Sequence, residues 1–266
     1  MKPTKVIISL IILTLAAMMP WIIKEKTEFS PPLTESAESE NIIWEKPEIG
    51  ILQEIEPKPL SKFPSKITVL KANEITAINI RELPSSDSKS LGVVYGDLVN
   101  VEIIKNLDNG YTEVKCRDYK TMKPICGFVP TEYIQEVDLN EKFGVIVDLS
   151  EQKVDIYEND KIIKTFSCST GLDENNCSTP EGLYRIGERG DSFYSPNYKQ
   201  VGYYWVRFNN NYLFHSVPFD ENKKIIEEEA EKLGQKASHG CIRLSLDDAL
   251  WFYNSMPRGT PVIITD

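Results

Sequence analysis

From Ile67 to the C-terminus the chain is cut into short runs in which apolar and polar residues alternate. Gly, Pro, Asn and Asp separate the runs, a pattern that makes β-sheet the main building material. ITAINI, LGVVYG, DLVNVEII, GYTEVKC and ICGFVP follow one another closely, and strands at this spacing predict a small β-barrel or sandwich over residues 67–137. A second series starts near Lys142. FGVIVDLS, QKVDIYE and, after an Asn159-Asp160 turn, KIIKTFSC read as a meander, and LYRI, YYWVRF, an Asn209–Asn211 turn and YLFHSV extend it. Lys224–Leu233 reads as a helix ending at Gly234, a left-handed cap. Another helix, LDDALWFYNS, follows Ser245, which forms a capping box with Asp248, and Pro257 stops it. TPVIITD supplies a last strand. The expected fold class is mainly β, a small barrel module followed by a β-rich domain with a few short helices.

The 266 residues suffice for two folded units once the N-terminal region is set aside. Val6–Ile23 carries no charge and is preceded by Lys2 and Lys5, so residues 1–23 read as a signal-anchor or signal peptide. No clean small-x-small site follows it, which favours an uncleaved anchor and contact with the membrane through this segment. Residues 24–66, rich in Glu, Pro, Ser and Lys, cannot bury enough surface to fold alone and read as a flexible linker with a reach of roughly 35–40 Å. The net charge of −10 gives no basic surface for nucleic acid or anionic lipid.

An extracytoplasmic chain keeps its cysteines in an oxidising or unprotected compartment. Of the five, Cys116 and Cys126 sit on neighbouring apparent strands, compatible with one bridge, and Cys168 and Cys177 bracket a short loop that a second could close, with free buried thiols as the alternative. Closing a loop as short as the second would contribute about 2–3 kcal/mol in the chain-entropy model. Cys241 is left over. Neither CxxC nor HxxxH spacing occurs, so no metal site and no cofactor are expected.

The chain has only two histidines, His215 and His239, both close in sequence to Cys241. A thiol becomes a strong nucleophile when ionised, and a neighbouring imidazole can take its proton. His215 lies near the end of YLFHSV, where a side chain can face a cleft. His239 lies in the tight loop Ser238-His239-Gly240-Cys241, whose backbone suits donation to a developing oxyanion, since Gly240 permits close approach. His215 is therefore the expected base.

SHGCIRL at Ser238–Leu244, preceded by HSVP at His215–Pro218, resembles the reactive segment of the L,D-transpeptidase catalytic domain, the YkuD-like family. STG at Ser169–Gly171, TPEGLYRI at Thr179–Ile186 and the closing GTPVIITD match in the same order, so the resemblance covers residues 142–266. Upstream, Asn79, Ile80, Arg81, Pro84, Gly92, Gly96 and Gly127–Val129 resemble the bacterial Src homology 3 domain, which implies a noncatalytic module that often contacts cell-wall peptides. The transpeptidase resemblance implies Cys241 as acylated nucleophile and His215 as general base and acid. It places the Ser216 carbonyl as acceptor from the ring, and Gly240 and Cys241 as backbone oxyanion donors, with Ser238 supporting and His239 lining the pocket. Arg243 would hold a substrate carboxylate or form a structural ion pair. The interval from His215 to Ser238 is longer than in many relatives, and its acidic stretch IIEEEAEKLG is expected to form a lid.

The activity so implied is acyl transfer between peptidoglycan stem peptides through a cysteinyl thioester, by a monomer acting at the cell wall. Three rivals accompany it. Water as acceptor would make an L,D-carboxypeptidase. Papain-like wall endopeptidases place Cys before His, the reverse of the order here. A noncatalytic wall-binding protein would need no intact His, Gly and Cys.

Overall fold

The computed structural model describes residues 61–174 and 177–266. The expected anchor and residues 24–60 of the expected linker lie outside the described residues, and no helix among the described residues is long and apolar enough to cross a membrane. Residues 61–266 belong to one compact unit.

The first part contains β1 (Lys66–Leu70), β2 (Ala77–Arg81), β3 (Ser90–Tyr95), β4 (Glu102–Asn106), β5 (Tyr111–Arg117), β6 (Pro124–Pro130) and β7 (Ile134–Asp138). β1 and β7 form an antiparallel ribbon, and the others form a five-stranded antiparallel sheet in the order β3-β2-β6-β5-β4. The expected barrel is not closed among the described residues. β3 and β4 stand as separate edges, and the first and last strands pair with each other outside the sheet.

The second part is β8 (Phe143–Asp148), β9 (Lys153–Glu158), β10 (Lys161–Ser167), β11 (Gly182–Arg185), β12 (Arg189–Ser195), β13 (Gln200–Asn209), β14 (Tyr212–Ser216), β15 (Ile242–Leu244) and β16 (Pro261–Thr265). One sheet runs β10-β9-β8-β16-β11 and the other β12-β13-β14-β15. Asn159 and Asp160 adopt positive φ between β9 and β10, the backbone a tight hairpin turn needs. The mainly β reading thus holds. Helices are α1 (Glu227–Ala230) and α2 (Leu246–Ser255). α2 begins where its cap predicts, Ser245 accepting from the Asp248 N–H. α1 is far shorter than the expected Lys224–Leu233 helix. No side chain caps its start and three successive glutamates fill its first turn, so tertiary ties shape this segment instead. Gly234 does take the left-handed conformation, but its N–H reaches the Cys168 carbonyl on another element.

One hydrophobic core runs through both parts, joining Leu70, Ile80, Val94 and Val114 to Val145, Phe208, Phe214 and Phe252. Phe214 stacks on Phe252 with centroids 4.5 Å apart, and Phe208 meets Phe214 edge-on. Polar ties reinforce the junction. Glu74, between β1 and β2, is only 3% exposed and pairs with Arg207 on β13 and with Arg258, while the Glu188 N–H donates to it at 3.0 Å. A buried carboxylate survives only with partners of this kind. Residues 61–66, read as linker, are already docked: Ser61 donates to Asp160 at 2.7 Å, and Phe63 meets Tyr157 edge-on.

Neither expected disulfide is formed. Cys116 pairs with Ile125 and Cys126 with Lys115, so the two cysteines stand one register step apart; Cys116 is buried and Cys126 exposed, on opposite faces of the sheet. Cys168 is a thiol sealed in the core, whereas Cys177 lies half-exposed in the following loop. Burial pushes the thiols of Cys116 and Cys168 up to about 12.

Candidate active site

β14 supplies the buried floor of the site. All five of its residues, YLFHS, are buried, because the strand lies between β13 and β15 and presses Phe214 into the core. β15 runs parallel to it, with Phe214 opposite Ile242 and His215 opposite Arg243. Cys241 immediately precedes β15, so the strand pairing that fixes His215 also fixes the start of the reactive loop.

His215 is 6% exposed. Its Nδ1 lies 2.6 Å from the Ser216 carbonyl, and Phe193 meets its ring edge-on at 5.0 Å. A neutral ring that faces a carbonyl through Nδ1 carries its proton there, which leaves Nε2 as acceptor. Burial, followed by the nearby Arg243 charge, lowers the ring's pKa to about 3, against a smaller opposing effect of the Ser216 carbonyl. Gly202 makes room for this arrangement: a Cβ there would come within 2.9 Å of Nδ1 and 2.4 Å of Phe193.

The Cys241 sulfur donates to the Asn211 carbonyl at 3.4 Å. Its pKa is pushed up by burial, opposed by the Leu213 N–H and the Arg243 charge. The resting pair is therefore a neutral thiol and a neutral imidazole. Cys241, His215, Ser238, His239 and Arg243 line one cavity of about 90 Å³, which Phe193, Tyr198, Gln200 and Gly202 complete from the β12–β13 hairpin.

The loop carrying Cys241 is tied down at each residue. Ser238 Oγ donates to the Cys241 carbonyl at 2.6 Å and accepts the Gly240 N–H at 3.0 Å. The Gly240 amide, expected as an oxyanion donor, is thus engaged inside the loop in this geometry. Gly240 has φ +117°, and a Cβ would strike the Tyr212 ring at 2.4 Å, so only glycine fits. The shorter matched strings surround this loop. Thr179 Oγ1 donates to the Gly240 carbonyl and accepts the Gly171 N–H, both at 2.8 Å, while Ser169 and Arg243 exchange backbone hydrogen bonds. His239 stacks on Tyr198, centroids 4.0 Å apart, and is exposed.

Arg243 is 5% exposed, and its Nη1 donates to Glu229 at 2.6 Å and to the Ala237 carbonyl at 3.2 Å. Glu229 belongs to α1, so the acidic insertion packs against Arg243, and none of residues 220–236 lines the cavity. The lid expected from this stretch is not formed there; the covering wall is the β12–β13 hairpin instead. That wall was missed, although a glycine inside an otherwise strand-like run, followed by two tyrosines, is a signal of close approach.

Residues 142–264 match the family model of the YkuD L,D-transpeptidase catalytic domain. A Bacillus subtilis (strain 168) protein named "Putative L,D-transpeptidase YciB" is 46% identical over 133 residues, 48% of this chain and 69% of the relative. Among solved structures, a fused zinc-dependent amidase/peptidase/peptidoglycan-binding domain-containing protein from Clostridium acetobutylicum ATCC 824 is 31% identical, with a TM-score of 0.38, over 48% of this chain and 55% of that one. The L,D-transpeptidase 3 of Mycobacterium tuberculosis, solved with a faropenem-derived adduct, is 16% identical, with a TM-score of 0.40, over 72% and 97% of the two chains. With its SHGC loop, strand-borne histidine and matching catalytic domain, this chain belongs to the L,D-transpeptidase family.

Proposed function

We propose that the chain works as a peptidoglycan L,D-transpeptidase through a thioester on Cys241, with His215 as base and then acid. The observation that carries this is the shared cavity, in which the Cys241 thiol and a neutral, Nδ1-anchored imidazole both stand. Sulfur attacks the carbonyl of the bond between an L centre and a D-amino acid in a stem peptide. The thiol proton passes to Nε2 and then to the departing D-residue's amine, which leaves as the C–N bond breaks. An amine from a neighbouring stem attacks the thioester, loses its proton through Nε2 and returns the thiol. Charge separation develops only as the substrate displaces the Asn211 carbonyl's hydrogen bond, since the resting pair is neutral.

The same reading makes the enzyme extracytoplasmic and monomeric, tethered through Val6–Ile23. It treats the open sheet of β2–β6 with the β1–β7 ribbon as a Src homology 3-like module. Incubation with defined muropeptides, followed by mass spectrometry, tests the chemistry. Wild type should gain an acyl adduct at Cys241 and release a D-amino acid, and Cys241→Ala should do neither. A cross-linked product with added acceptor amine is expected; hydrolysed product alone would make it a carboxypeptidase, and no adduct would overturn the assignment. A carbapenem should trap the same sulfur.

A further inference from the structure

The Asn209–Asn211 turn between β13 and β14, whose carbonyl receives the Cys241 thiol, is held from the N-terminal module. The β5–β6 hairpin tip reaches it. Asp118 shapes that tip, accepting the Val93 N–H at 2.9 Å and the Thr121 N–H and hydroxyl at 2.9 and 2.7 Å. The tip carries Tyr119 and Met122 to the catalytic part. Burial raises the Tyr119 hydroxyl's pKa, opposed by the nearby Asn210 side chain and Asn211 N–H. The Tyr119 ring packs edge-on against Tyr212 at 5.5 Å and against Tyr95 at 4.5 Å, and Tyr212 Oη donates to Met122 Sδ at 3.7 Å.

A second clamp works from the other side. Arg207 donates to the Asn210 carbonyl and is itself paired with Glu74 of the module. Asn210 sits at φ +42°, a left-handed conformation that an unsupported turn would leave easily. Tyr119, through its ring against Tyr212, and the Glu74–Arg207 pair, through the Asn210 carbonyl, hold the turn on either side of Asn211.

We propose that Tyr119 is a positioning residue for the nucleophile: through the 209–211 turn it sets where the Asn211 carbonyl meets the Cys241 thiol, which makes the N-terminal module part of the catalytic apparatus. A carbonyl 3.4 Å from sulfur aims the S–H and opposes its ionisation, because a thiolate there would face the carbonyl's negative end. The other groups facing the sulfur are His215 and His239 across the cavity, Arg243 behind it, and the Tyr119 and Tyr212 hydroxyls. Arg243 and the Leu213 N–H favour the thiolate. Burial raises the thiol's pKa most, and the Asn211 carbonyl is the acceptor that receives its proton at rest.

The inference rests on Cys241 as nucleophile, and its test reads the thiol directly. On the full chain, iodoacetamide alkylation of the Cys241 peptide is followed by mass spectrometry across pH, alongside carbapenem acylation. Tyr119→Phe keeps the ring and removes the oxygen. We expect its alkylation midpoint to fall by about half to one pH unit and its acylation to slow roughly tenfold, as misplaced groups do. Asn210→Ala, which removes the partner on the turn, should do the same, and the double variant should be no worse than either single one. A purely structural contact would lower the melting temperature and leave the midpoint in place, which would overturn the proposal. Failure of wild type to acylate, with the midpoint still moving in Tyr119→Phe, would sink the acyl-transfer reading and leave the positioning role standing.

Discussion

His215 and His239 line the same cavity on opposite kinds of scaffold. His215 stands in a strand whose residues are all buried, paired on both sides, with its ring held by the Ser216 carbonyl and Phe193. His239 stands in a loop, exposed, with Tyr198 stacked on it. Burial acts on both pKa values in the same downward direction, and Arg243 adds to it in each case, but only His215 reaches about 3. A strand-borne ring is dehydrated and has one orientation, as proton transfer to a fixed Nε2 requires. A loop-borne ring keeps its water and can adapt to a substrate.

The largest expected contrast is in acylation. His215→Ala should slow formation of the Cys241 adduct by about 10²–10⁴-fold, the range for a general base. Rapid single-turnover acylation by a carbapenem measures it. A small effect there, with a large one for His239→Ala, would reverse the assignment of the two rings.

The second contrast is pH-dependent stability. A His215 pKa depressed from an ordinary 6.5 to about 3 means that the unfolded chain binds a proton in that window and the native chain does not. Stability is then fully present above about pH 6.5 and lost as the pH falls through the window, with a slope from this group of up to about 1.4 kcal/mol per pH unit. Denaturant titrations between pH 7 and 4 should show a shallower slope for His215→Gln than for wild type, while His239→Gln should follow wild type closely. Equal slopes for wild type and His215→Gln would mean the ring is hydrated in the native state.

A third variant acts on the charge beneath both rings. Glu229→Ala leaves the Arg243 guanidinium buried with the Ala237 carbonyl as its remaining acceptor. Breaking a fully buried pair costs about 3–5 kcal/mol, and Glu229 keeps 19% of its side-chain exposure and a second partner in Lys232. A loss of about 2–3 kcal/mol is therefore expected by urea denaturation, less than the fully buried case. If stability is unchanged, the insertion is not held by this pair.

What could be read from the sequence divides along the same line between strand and loop. Period-two runs located most strands, and Ser245 with Asp248 located α2, because each signal sits within a few residues of its effect. The pairing of Cys116 with Cys126 failed by one register step, which alternation within each strand does not determine. The α1 segment read as a long helix from composition, yet Glu229 is drawn to Arg243 and Gly234 to Cys168 by residues distant in the chain. The cavity wall from Phe193 to Gly202, and the packing of Tyr119 on Tyr212 beside the turn, arise only when three hairpins converge.

The smallest effect expected is that of His239→Ala, and it sharpens the comparison most finely. The ring's contact is a stack on Tyr198 with an interplanar angle of 22°, at the mouth of a cavity whose floor is His215. Aromatic pairs of this kind contribute about 0.5–1.5 kcal/mol beyond area burial, roughly a two- to tenfold change when expressed as kcat/KM. Because no buried partner is orphaned, the melting temperature should stay at the wild-type value. If His239 only shapes the mouth, the loss should fall on KM, with kcat for stem-peptide acylation nearly unchanged, and Tyr198→Ala should give the same loss without adding to it. A drop in kcat alone would instead place the His239 ring in the proton path, and the division of labour between strand and loop would have to be redrawn.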